Sequence, residues 1–268
     1  MAFPLLIAAQ DPREIVRRAV EADSHNYRIA QDYTYLQREE RRTLDASGNV
    51  KDVKVETYDV TLIDGSQYRR LVARGDQPLS ASELRKEEEK EKKEAARRRK
   101  ESPSQRQKRL AGAEARRRKN REQYADIVDA FNFRLAGRDA IAGAPVWIVE
   151  GTPRAGFRAR ASAGRKLLPK IDCRLWISMS DYGWARIEIE TLDTVSFGLA
   201  VVRIAKGSRI TIEQTRLNGE IWLPSRVVVT AGARLFLVRN TRINLLYDFT
   251  DYRKFQSDSR IVDIPPRP

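Results

Sequence analysis

Chemistry needs suitable side chains close together, and this chain offers few of them. Its 268 residues include one histidine, His25, and one cysteine, Cys173. His25 stands beside Asp23, Ser24 and Asn26. A general base needs a nucleophile placed against it, and no pattern here supplies one, so a helix-end or surface histidine is the favoured reading. Cys173 follows Asp172 at the start of an apolar run, which suits an inert, half-buried thiol. Glu188 and Glu190 alternate with Ile187 and Ile189. That spacing marks the polar face of a strand in preference to a carboxylate pair for glycoside hydrolysis. One His and one Cys give no basis for a metal cluster or a disulfide framework. No phosphate loop, dinucleotide fingerprint, G-x-S-x-G or H-E-x-x-H motif occurs. The chain reads as a non-enzyme without cofactor or metal.

What the sequence does carry is charge, and its distribution matters more than its sum. Lys and Arg number 51 against 37 Asp and Glu, a net +14. Residues 83–122 alone hold 17 basic and 9 acidic side chains, so over half of the excess falls in 40 positions. Within them, 83–101 is nearly balanced, with Glu88/Lys92, Glu89/Lys93 and Glu94/Arg98 spaced as exposed helical pairs. The stretch 106–122 has 8 basic residues and 2 acidic. Three readings stand. A solvated helix comes first. Contact of Arg116, Arg117, Arg118, Lys119 and Arg121 with an anionic membrane surface or acidic partner comes second, at about 1 kcal/mol per charge. Nucleic acid binding by the 106–121 helix comes third, because the run has no aromatic before Tyr124, whereas single-strand binders interleave stacking rings with charge.

These residues need elements to position them. Asp11-Pro12-x-Glu14 predicts a helix start with a capping box, followed by a stripe of Ile15, Val16, Ala19 and Val20 as far as about Gln31. The period then shifts to two: runs at 33–36, 53–62 and 68–72, with Asp64-Gly65 as a turn, predict a three-stranded meander. A helical hairpin is expected over 80–131. Its far end is solvated, and its return leg docks through Tyr124, Ile127, Val128 and Phe131, spaced i, i+3, i+4, i+7. Beyond a basic loop at 154–164, the remainder reads as strands joined by glycine turns, among them 199–204. About ten antiparallel strands must curl, close or split. The expected class is α+β: a large curved antiparallel sheet, or half-barrel, with helices over its concave face and a charged hairpin inserted. Ile187, Ile189, Ile210, Ile212, Leu235, Leu237, Ile243 and Leu245 line either a ligand groove or an ordinary core. Tyr124, Ile127, Val128 and Phe131 would form a lid.

The C-terminal half carries a resemblance in Leu175-Trp176-Ile177, Gly219-Glu-Ile-Trp222-Leu223-Pro224 and Tyr247-Asp-Phe249-Thr-Asp-Tyr252-Arg-Lys-Phe255. These segments look like those of bacterial outer membrane lipoprotein-sorting proteins, within the LolA/LolB-like superfamily of periplasmic lipoprotein carriers. The likeness covers most of 11–255, and the basic hairpin departs from the compact carriers. It implies a half-barrel holding the acyl chains of a lipid or lipoprotein under a helical lid, and it implies no catalysis. An envelope sensor or scaffold domain with a packed interior is the other relative in view. Residues 1–10, with Ala8 and Ala9 before Gln10, read as a signal-peptide remnant, which predicts export to the periplasm. The expected organisation is one domain over 11–262 with the insert at 80–131, then a Pro-rich tail at 263–268. No apolar run is long enough to span a membrane.

Overall fold

The computed structural model describes residues 10–45, 47–197, 202–235 and 239–254. Within those ranges, the side chains of 116–117, 119–125, 197, 202, 233–235 and 239–241 are not described. Helix α1 (Pro12–Ile29) begins where expected: Pro12 is its first residue, and the Asp11 carboxylate accepts from the Arg13 amide at 3.0 Å. Glu14 does not close a box, because Arg17 and Arg18 claim its carboxylate. Next come β1 (Tyr33–Leu44), β2 (Val50–Ile63), β3 (Ser66–Arg74) and β4 (Gln77–Pro78). Then follow α2 (Ala81–Arg99), α3 (Pro103–Ala125) and the single turn α4 (Ile127–Ala130). Strands β5 (Phe131–Ile141) and β6 (Ala144–Pro153) lead to a short α5 (Ser162–Leu167). The chain continues through β7 (Ile171–Ser178), β8 (Trp184–Thr191), β9 (Val195–Phe197) and β10 (Val202–Ile204). It finishes, among the described residues, with β11 (Arg209–Leu217), β12 (Ile221–Leu235) and β13 (Arg239–Lys254).

The strands form one antiparallel sheet in the order β4-β3-β2-β1-β13-β12-β11-β8-β7-β6-β5, with β10 beside β12 and β9 beside β10. Strands β4 and β5 lie at opposite ends of this path, so the sheet stays open, as a half-barrel does. The two-residue turns Asp64-Gly65, Gly75-Asp76 and Ala142-Gly143, and Asn218-Gly219 within a three-residue turn, all take positive φ at both positions. That geometry matches the right-handed twist of the strands they join. Helix α1 lays Ile15, Val16 and Ala19 on Trp147, Val149, Leu175, Ile177 and Trp184, so the main core sits over β6, β7 and β8. Each large side chain buried there is worth about 1.5–3 kcal/mol. The helical hairpin carries the chain from one end of the sheet to the other.

Three expectations about these elements change. Strand β1 runs to Leu44 instead of ending near Leu36, because its backbone pairs with β2 and β13 along that whole length and its charged residues find partners further along the sheet, as in Arg38 with Asp76 of the β3–β4 turn and Glu39 with Arg69 of β3. The basic loop at 154–164 gives way to α5 from Ser162. The far end of the hairpin is docked, contrary to the expected solvation. Arg98, its side chain only 8% exposed, donates to the carbonyls of Ile63 and Ser66 and pairs with Glu94 at 2.7 Å. Arg106 and Arg109 both bind Asp64 in the β2–β3 turn.

Candidate functional site

Residues directly opposite in antiparallel strands share a face, so the register assigns every side chain of the sheet to one side. One row runs Ile187, Ile212, Val227, Tyr247; its neighbour runs Ile189, Ile210, Val229, Leu245. Ile243 lies opposite Ala231, two residues along β13 on the same face. Six of the eight expected groove residues therefore share one apolar surface. For the other two, the side chain of Leu235 and the whole of Leu237 lie outside the described residues. Val227, Val229 and Tyr247 join the surface without having been expected to line the groove, although the alternation of β12 and β13 contains them.

Only part of this surface is core. Ile187 packs against the α1 cluster, and Ile189 against the cluster of Ala130, Phe131 and Ile171. Ile212, Val227, Val229, Leu245 and Tyr247 are half-buried, and Ile210 is 37% exposed. The apolar face thus continues past the packed core across three further strands.

The opposite face carries ions. Arg134, Glu150, Arg174 and Glu188 stand in one cross-strand row, and Arg186, Glu213, Arg226, Asp248 and Arg38 in the next. Pairs along them include Glu150–Arg174 at 2.6 Å, Arg186–Glu188 at 2.5 Å and Arg226–Asp248 at 2.7 Å. Hydrogen bonding to Arg174 holds the Glu150 carboxyl below its ordinary range. A cavity of about 610 Å³ opens on this side between Glu150, Asp172, Arg174, Glu190 and Arg209. Burial, with Glu190 directly opposite, pushes the Asp172 carboxyl up. Glu188 and Glu190 are each bound to an arginine, Arg186 and Arg209, so both are ion-pair partners in this arrangement. Cys173 is pushed up to about 12 by burial, which suits an unreactive thiol. His25 is exposed on α1, its Nδ1 3.3 Å from the Arg28 guanidinium.

The lid residues divide between elements. Ile127 and Val128 lie on α4 against the α1 core, while Phe131 is buried as the first residue of β5 and so is not on the helix. Tyr124 lies on α3 with its side chain outside the described residues. Of the basic run on α3, Arg118 is exposed, and the side chains of Arg116, Arg117, Lys119 and Arg121 are likewise not described.

No protein-family model matches the chain, and none of the curated proteins does. Similar solved structures include a DUF1329 family protein from Desulfovibrio piger, at 12% identity over 93% of this chain and 96% of that one, with a TM-score of 0.34. An outer membrane lipoprotein-sorting protein domain from Vibrio parahaemolyticus is 9% identical over 91% and 95%, with a TM-score of 0.35. A LolA superfamily protein from Nitrosomonas europaea is 11% identical over 96% of both chains, with a TM-score of 0.33. The similar structures thus include members of the superfamily that the sequence resembles. At such identities and TM-scores, function has to be argued from this chain's own residues.

Proposed function

We propose that this chain is a periplasmic binding protein of the LolA-like type that holds an acyl chain of a lipid or lipoprotein along the apolar face of its open sheet. The supporting observation is the continuation of that face beyond the core, from Ile187 and Ile189 to Leu245 and Tyr247, with Ile210 left exposed. An acyl chain laid there gains roughly 25 cal/mol for each Å² of apolar surface removed from water. The lid is Tyr124 with Ile127 and Val128, moving about the buried ring of Phe131. Arg116, Arg117, Arg118, Lys119 and Arg121 on α3 meet an anionic membrane or an acidic envelope partner. The binding unit spans 11–262 with its insert at 80–131, between an export-signal remnant and the tail at 263–268. Carriage needs no bond-making, in keeping with a non-enzyme.

Solvent extraction and native mass spectrometry of protein purified from its own envelope should reveal a bound acyl species. Ile210→Glu should lower affinity for a fluorescent acyl probe at least tenfold while leaving circular dichroism unchanged, because an exposed position tolerates the charge. Protein that carries no lipid and does not bind the probe would falsify the proposal.

A further inference from the structure

We infer that the acyl ligand carries an anionic head group, held by Arg41; this rests on the acyl-binding reading above. The apolar row Ile189, Ile210, Val229, Leu245 does not stop at β13. The residue opposite Leu245 on β1 is Arg41, and opposite Arg41 on β2 is Lys54. One cross-strand line therefore passes from four apolar side chains directly to two cations on the same face.

The acids sharing that end of the face do not neutralise Arg41. Glu39, in the adjacent row, is bound by Arg69 at 2.6 Å and accepts from the Gln37 amide at 3.1 Å. Glu56, opposite Glu39, takes Lys54 at 2.9 Å and the Tyr58 hydroxyl at 2.7 Å. Asp52 lies in the row beyond, opposite Thr43. Arg41 itself is exposed and has no acidic partner among the described residues. An unpaired guanidinium, with five donors in a planar fork, matches a carboxylate or phosphate head.

The dimensions agree with such a ligand. Strands lie about 4.8 Å apart, so the apolar row spans roughly 14 Å, and Arg41 stands one strand further on. A staggered hydrocarbon chain advances about 1.3 Å per carbon. A chain of a dozen to about sixteen carbons therefore covers the apolar row with its head at Arg41.

The test is displacement of a fluorescent acyl probe by palmitate, hexadecanol and hexadecylamine, which share a chain and differ in head. Wild-type protein should bind palmitate at least roughly tenfold more tightly than the alcohol. Arg41→Ala should erase that preference, and Arg41→Glu should turn it toward the amine, with palmitate affinity falling and hexadecanol affinity unchanged. Circular dichroism should be unaltered in both variants, since position 41 is exposed. Equal wild-type affinity for palmitate and hexadecanol, or palmitate binding untouched by Arg41→Ala, overturns the head-group assignment alone. Failure of wild-type protein to bind any of the three chains overturns the acyl-binding reading itself.

Discussion

Asp23 lies on the side of α1 that meets the sheet, seven residues after buried Val16, four after buried Ala19 and three before buried Asn26. Among the described residues no ion pair or hydrogen bond holds its carboxylate, and burial pushes it up to about 6 from an ordinary 3.8. A folded-state pKa raised above the unfolded one means that the native state binds this proton more tightly. Asp23 therefore costs nothing below pH 3.8 and opposes folding increasingly as pH rises through about 6. Asp23→Asn should raise the denaturant midpoint at pH 7.5, with the gain gone by pH 3.5; a constant gain at both pH values would refute the assignment. Spacing alone places Asp23 on the apolar stripe, but its cost depends on the sheet that removes it from water. Arg41 was illegible for a related reason: in Glu39-Glu40-Arg41-Arg42 it is one charge among four until pairing sets it against Leu245.

The helical hairpin shows where local signals suffice and where they fail. Ser80 caps α2, with Glu83 returning to its backbone, and 83–101 is helical as its charge spacing predicts. Docking at the far end was hidden because it is done by arginines, the residues that look most solvated in a sequence. Arg98 donates to two carbonyls that flank the β2–β3 turn, so its removal loses charge-assisted hydrogen bonds at a half-buried site, at a cost of about 1–3 kcal/mol. Arg98→Ala should accelerate hydrogen exchange across α2 and the β2–β3 turn at least tenfold. Arg97→Ala, at a site that among the described residues is bonded within the hairpin, should leave the turn unchanged. Equal effects from both would mean that the contact does not anchor the hairpin.

Across the whole molecule, the two faces of the sheet divide its labour. Ion pairs on the charged face are mostly surface pairs, each worth about 0–1 kcal/mol, so they add little to stability. The apolar face supplies the core at one end and the proposed binding surface at the other. A ligand that binds only folded protein stabilises it by mass action, by about 2.7 kcal/mol at a concentration 100 times Kd. Palmitate at that level should raise Tm by roughly 5–10 °C, and Ile210→Glu should abolish the rise; an unchanged Tm for wild type would count against the acyl site. The sequence by itself determined the α+β class, the helix start at Asp11-Pro12, the hairpin turn at Asp64-Gly65 and the alternation that separates apolar from charged strand residues, because all are properties of near neighbours along the chain. Only the tertiary structure decided that β13 lies between β1 and β12, where the core ends on the apolar face, and that Arg41 closes its row. Those depend above all on the pairing of β1 with β13, some 200 positions apart, which no local period encodes.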